Sequence, residues 1–248
     1  MTTKLDASRR YARVAGDIAA KIVDGTYVVG ERLPAERQLA QTYSVSRPTI
    51  REAMLALEID GLVDVRMGSG VYVAAQTPAN GSAAETDMGP FELLEARRAI
   101  EGEVCALAAE RIGEPDYEEL QRLIAAMEID DVTQAEAADR QFHETIARAT
   151  QNSGMLAAVR MLWDARERSL QYRLLTKKAH SAGISPPFDE HGHILVALRA
   201  RDPQLARAAM RKHLTLVIEA LLKATEVHEF EQSRAEVAAR RKRYIAAG

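Results

Sequence analysis

The sequence predicts a mainly α protein: a small α/β domain first, then an all-α antiparallel helical bundle. Three observations predict this. Short elements of mixed type, punctuated by glycines, fill residues 8–75. The stretch QTPANGSAAETDMGP that follows is rich in Pro, Gly, Ser, Thr and Ala and has no periodicity. From residue 91, Ala, Leu, Glu and Arg recur at helical spacing almost to the end. The chain is therefore read as a domain over 8–75, a linker over 76–89, a helical domain over 90–228 and a charged helical tail over 229–248. Its 248 residues suffice for two modest domains at roughly 100–200 residues each.

The first block begins with a helix over 8–24, because Val14, Ile18 and Ile22 recur every fourth residue and Gly25 offers a stop. A second helix lies in LPAERQLAQTY (33–43), with Pro34 at its start and Leu39 and Ala40 on its buried stripe. Ser44-Val45 forms a tight turn. The third helix, SRPTIREAMLALEIDG (46–61), has Ser46 as N-cap and Pro48 in the first turn, where a missing N–H costs little. Ile50, Met54 and Leu57 give it an inward face, and Gly61 ends it. LVDVR and GVYVA alternate as two strands around the glycine-rich tip Met67-Gly68-Ser69-Gly70.

Helix, helix, tight turn, helix, hairpin is the order of a winged helix-turn-helix. Its recognition helix enters the major groove N-terminal end first. Here that end carries Ser46, Arg47, Pro48, Thr49 and Arg51. A net charge of −3 does not announce a nucleic-acid binder, but residues 32–51 hold four arginines against one acid, Glu36. A local cationic face counts for more in phosphate contact than the total does. Aromatics at 5% argue against a single-strand stacking platform. One cysteine, Cys105, fits a reducing cytoplasm and removes any Cys-based metal cluster. No apolar run reaches the ~20 residues of a membrane span, and the N-terminus has no signal-peptide block.

The run RLPAERQLAQTYSVSRPTIREAMLALEIDGLVDVRMGSGVYV closely resembles the DNA-binding domain of the GntR family of bacterial regulators, over about residues 9–75. In FadR-like members the resemblance implies double-stranded DNA contacts from Arg37, from Ser46, Arg47, Thr49 and Arg51, and from Gly68 at the wing tip.

The second block reads as six or seven helices with short breaks. They cover 91–112, DYEELQRLIAAM, 135–150, a long helix over 155–178, one opened by Ser185-Pro186-Pro187, and a last one from about 203. All six histidines lie after residue 142. Asp139 and His143 are one helical turn apart and share a face with Phe142 and Ile146. His191 lies on an apolar stripe with Ile194, Leu195 and Leu198, and His213 on one with Met210, Val217 and Leu221. His191 is 11 residues before the turn at Asp202 and His213 is 11 after it. At ~1.5 Å per residue both stand roughly 16 Å from the turn, level with each other in an antiparallel hairpin. Three imidazoles and a carboxylate thus converge inside a bundle, where unpaired polar groups are expensive. A divalent metal is the shared explanation: zinc first, with nickel, manganese or iron also suited. His193 competes with His191 but points about 200° round the helix. His180 and His228 receive no role.

LLEARRAIEGEVCALAAERI, DRQFH, the QNS after it and EHGHILVALRARDPQLARAAMRKHL resemble the FCD domain, the all-helical ligand-binding domain of FadR-like regulators, over most of residues 90–225. The resemblance implies metal ligation by the same Asp139, His143, His191 and His213. It also implies that Arg97 receives an effector carboxylate; the other reading of Arg97 is a surface ion pair with Glu101. Arg166 is a weaker pocket candidate. GPFELLEARRAIE and the tail EFEQSRAEVAARRKRY are most like regulators of hexuronate use. The function expected is a homodimeric, metal-dependent transcriptional regulator, read as a repressor, that answers to a small carboxylic acid and is not an enzyme. The alternatives are a metal-dependent hydrolase or lyase with a DNA-binding appendage, and a metal sensor with no organic effector. Neither a serine nucleophile motif nor a phosphate-cradling glycine loop supports the enzyme reading.

Overall fold

The computed structural model describes residues 10–66, 70–78, 88–129, 131–184 and 190–245, with side chains in the last helix up to residue 225. The elements are α1 (Arg10–Val23), α2 (Glu36–Tyr43), α3 (Arg47–Ile59), β1 (Val63–Arg66), β2 (Gly70–Val73), α4 (Pro90–Arg111), α5 (Glu114–Met127), α6 (Val132–Ala149), α7 (Ser153–Arg168), α8 (Leu170–Ser181), α9 (Glu190–Arg199) and α10 (Pro203–Ile245). The protein is mainly α with one small sheet, as the sequence predicts. No helix among the described residues is long and apolar enough to cross a membrane.

Two compact units form. One comprises Met1–Phe91, Ser169–Ile184 and Leu221–Gly248; the other comprises Glu92–Arg168 and Ser185–Ala220. In the first, Ile18 and Ile22 of α1 meet Ile50 and Leu57 of α3, and Leu62, Val63 and Val73 close the core. Helix α2 starts at Glu36 with Ala35 as its N-cap, so Pro34 precedes the helix and does not open it. The Ser46 hydroxyl accepts from the Thr49 amide and caps α3. Gly25 and Gly61 stop α1 and α3 at φ 82° and 74°, a conformation that glycine enters without steric cost. β1 and β2 pair antiparallel, with Val63 opposite Val73 and Arg66 opposite Gly70. Helix α8 packs on α3, where Lys178 Nζ bonds Glu58 at 2.7 Å. The buried Glu52 carboxylate accepts from the Phe91 amide at the start of α4.

In the second unit Phe142, Ile146, Trp163, Leu120, Ile194, Leu198 and Leu214 form one core. Asp202 Oδ1 accepts from the amides of Gln204 and Leu205, so the chain turns from α9 into α10 there, as the spacing predicts. Two boundaries in this unit also differ from the expectation. Helix α6 starts at Val132 rather than 135, because Asp131 caps it by accepting from Thr133 and Gln134. The helix expected over 155–178 is two, α7 and α8, because the Ser169 hydroxyl accepts from the Tyr172 amide and opens a new helix. The proposed start at Ser185-Pro186-Pro187 lies outside the described residues. Since Ser169 is buried, Ser169→Ala should lower stability by about 1 kcal/mol in urea unfolding. A loss of less than a few tenths would mean that packing alone sets this break.

Candidate functional site

Asp139 and His143 come from α6, His191 from α9 and His213 from α10. The three rings are buried, while Asp139 keeps 27% of its side chain exposed. Asp139 Oδ1 lies 3.1 Å from His191 Nε2 and 3.4 Å from His143 Nε2. The His191 and His213 ring centroids are 4.4 Å apart, and those of His143 and His213 are 5.4 Å apart. One ligand atom from each of the four residues lies within 4.8 Å of the other three. The level pairing of His191 and His213 across the Asp202 turn is thus present.

This donor set fits a divalent cation. With metal–ligand bonds of about 2.1 Å, neighbouring ligand atoms stand about 3.0 Å apart in an octahedral shell and about 3.4 Å apart in a tetrahedral one; the Asp139 contacts match both. His143 is buried, with Nε2 3.4 Å from Asp139 Oδ1. Burial, with the nearby His191 and His143 charges, holds His213 well below the usual histidine range and so neutral. Burial would raise the Asp139 carboxyl, but hydrogen bonds from His143 and His191 outweigh it and hold Asp139 well below the usual carboxylate range. One carboxylate oxygen with three imidazoles is a donor set that suits a borderline cation such as zinc.

Arg97 sits on α4 with its guanidinium carbon 4.0 Å from the centroid of Trp163, whose ring is 5.3 Å from that of His143. The pair expected between Arg97 and Glu101 exists but is not at the surface: Nε to Oε1 is 2.6 Å, and the side chains are 3% and 2% exposed. The second Glu101 oxygen is in ion-pair contact with His143 Nδ1. Sequence reading misses Glu101 as a member of this cluster. The signal was available, because Arg97, Glu101, Val104 and Ala108 follow one another at helical spacing on the face that is buried. Arg166 bonds Glu136 at 3.1 Å and lies 5.0 Å from the Trp163 centroid on α7. His193 is mostly exposed beside Glu190, and His180 is exposed.

Burial alone would raise the Glu101 carboxyl, but Arg97 and His143 outweigh it and hold it down at about 2. The folded value is below the ordinary 4.5, so this stabilisation is present above pH 4.5 and is lost as pH falls toward 2. In metal-free protein, Glu101→Gln should therefore flatten stability between pH 4.5 and pH 2. Urea unfolding at stepped pH would test this, and acid limbs that run parallel in both proteins would contradict it.

In the first unit Arg37, Ser46 and Arg47 are exposed, and Pro48 and Thr49 are half-buried at the start of α3. Arg47 contacts Glu36 at 3.3 Å. Arg51 departs from the expectation of a side chain free to reach a base: it is 4% exposed, and its Nε donates to both Glu36 oxygens at 3.0 Å. The cause is the carboxylate that α2 brings to it, which makes Arg51 a brace between α2 and α3. Gly68 lies outside the described residues, as do the side chains of the charged tail over 229–248.

Residues 10–73 match the bacterial regulatory proteins of the gntR family, and residues 92–216 match the FCD domain. The chain belongs to the GntR family. This FadR-like transcriptional regulator is 37% identical over 211 residues to the Exu regulon transcriptional regulator of Escherichia coli K12, covering 83% of this chain and 82% of the relative. It is 34% identical over 239 residues to the Uxu operon transcriptional regulator of the same organism, covering 92% of this chain and 93% of the relative. A solved GntR family member from Pseudomonas syringae pv. tomato DC3000 aligns with a TM-score of 0.47 at 23% identity, covering 94% of this chain and 90% of that one.

Proposed function

We propose that this chain is a homodimeric, metal-dependent repressor whose hold on operator DNA is released by a hexuronate-type acid. The meeting of Asp139, His143, His191 and His213 beside the buried Arg97 supports this most. The Exu and Uxu relatives favour hexuronates among small carboxylic acids. In this reading residues 8–75 form the operator-reading domain, 76–89 the linker, and 90–228 the effector domain; the tail over 229–248 receives no role.

Asp139, His143, His191 and His213 would hold the ion. When bound, it supplies open coordination positions to a carboxylate and its neighbouring hydroxyl. Arg97 has its Nε taken by Glu101, so its terminal nitrogens are the donors left for an anionic oxygen of the acid. Arg166, behind Trp163, adds positive charge to the same wall. On the DNA side, Arg37, Ser46, Arg47, Pro48 and Thr49 form the face presented to the major groove, with Gly68 at the wing tip. Arg51 supports that face from within. One recognition helix touches too few bases for specificity, so a two-fold dimer reads paired half-sites. The acid prefers an arrangement of the effector domain in which the two DNA-reading domains no longer match the half-site spacing.

Calorimetric titration of zinc-loaded protein with glucuronate and galacturonate, followed by operator gel shifts, tests this reading. Binding of an acid together with weakened DNA binding is expected. Acid binding with unchanged DNA affinity refutes the switch, and DNA affinity that follows zinc alone favours a metal sensor. Arg47→Ala should weaken operator binding roughly 5- to 150-fold, the equivalent of about 1–3 kcal/mol for a lost bidentate contact, while acid binding is unchanged. Loss of both properties in this one variant would undo the division of labour.

A further inference from the structure

Glu101 is a charged side chain with almost no access to solvent. Burying a carboxylate in a helical core requires partners for both oxygens. Oε1 accepts from Arg97 Nε at 2.6 Å, and Oε2 is in contact with His143 Nδ1. His143 itself is buried, and its other nitrogen, Nε2, faces Asp139 Oδ1 at 3.4 Å within the ligand set. A neutral imidazole carries one N–H and one lone pair. With the proton on Nδ1 toward Glu101, the lone pair sits on Nε2, toward the cation.

We propose that Glu101 is the positioning residue of this centre: its one carboxylate fixes His143 as an Nε2 ligand and ties the anion-binding Arg97 to the metal. This rests on the metal-and-acid reading above. A ligating histidine held by a carboxylate on its far nitrogen is oriented and made more basic, and losing such a partner costs about 10–100-fold in metal affinity. Here the same carboxylate is also the partner of Arg97. An acid that draws on the guanidinium therefore acts on the group that holds His143, and a metal that draws on His143 acts on the group that holds Arg97. The coupling is reciprocal.

The chain has a single tryptophan, Trp163, with its ring 5.3 Å from that of His143, so quenching of its emission by Co2+ reports this site. Full-length, metal-stripped protein would be titrated with Co2+ against a competing chelator. Glu101→Gln should bind about tenfold more weakly than wild type and Glu101→Ala about 100-fold. Glu103→Gln, on the exposed face of α4 where Glu103 pairs with Arg207 and Arg211, should match wild type. Glucuronate should tighten Co2+ binding in wild type and leave it unchanged in Glu101→Gln. Long-range proton–nitrogen NMR of the metal-free wild type should find the His143 proton on Nδ1. Wild type that takes up no Co2+ removes the metal reading, and this proposal with it. Wild type that binds while both Glu101 variants bind as tightly removes the proposal alone. If the variants do not fold, the wild-type spectrum decides: a proton on Nε2 with Nδ1 bare overturns it.

Discussion

Asp139→Ala is expected to abolish divalent-metal binding by this protein. Purified wild type should carry about one zinc or related ion per chain, and the variant less than a tenth of that, by elemental analysis. The reason is electrostatic. Asp139 supplies the one carboxylate in the ligand set, and its Oδ1 lies 3.1 Å from one imidazole nitrogen and 3.4 Å from another. Without it, a divalent charge would have to be held inside the bundle by three imidazole rings alone. The thermal melt supplies a second readout. A ligand that binds only the folded state adds about 4 kcal/mol at 1,000 times its Kd. Zinc should therefore raise the melting temperature of wild type by several degrees and leave that of Asp139→Ala unmoved. His143→Ala should behave alike. A variant that keeps its metal and its zinc-dependent melt would show that these four side chains are a hydrogen-bonded core cluster.

Phe142→Ala should cost about 3–5 kcal/mol of stability, the range for deleting a fully buried aromatic ring. Phe142 has no solvent exposure. Its ring stands edge-on to two of the histidines, 5.0 Å from His191 at 86° and 5.7 Å from His143 at 74°. The cavity would therefore open between α6 and α9, where Asp139, His143 and His191 meet. Urea unfolding of metal-free protein checks the stability, and a loss below about 1 kcal/mol would mean that the neighbours collapse into the space. Phe142→Leu keeps most of the volume but not the edge contacts. It should recover most of the stability while binding Co2+ more weakly than wild type, which separates packing from ring orientation.

Much of the candidate site is legible in the residue order. Asp139 and His143 share a helix face by spacing, and the equal distances of His191 and His213 from Asp202 place them level. Both inferences use a period and a rise that every α-helix obeys. Spacing puts Glu101 on the apolar face of α4 but names no partner for it, and Arg51 reads as a side chain free to reach a base. Each is a charge on a helix, and a charge on a helix is ordinarily solvated. What made each an interior residue was a partner brought by another segment: His143 from α6 for Glu101, and Glu36 from α2 for Arg51.

The order of residues alone yields the mainly α architecture, the winged arrangement of the first block, the turn at Asp202 and the convergence of Asp139, His143, His191 and His213. All of these follow from local rules of period, cap and turn. The break at Ser169, the inward turn of Arg51 and the buried Arg97–Glu101–His143 chain come only from the folded protein. Whether a polar group inside is tolerated depends on who meets it there, and those meetings join residues up to 42 positions apart in the chain, as Glu101 and His143 are.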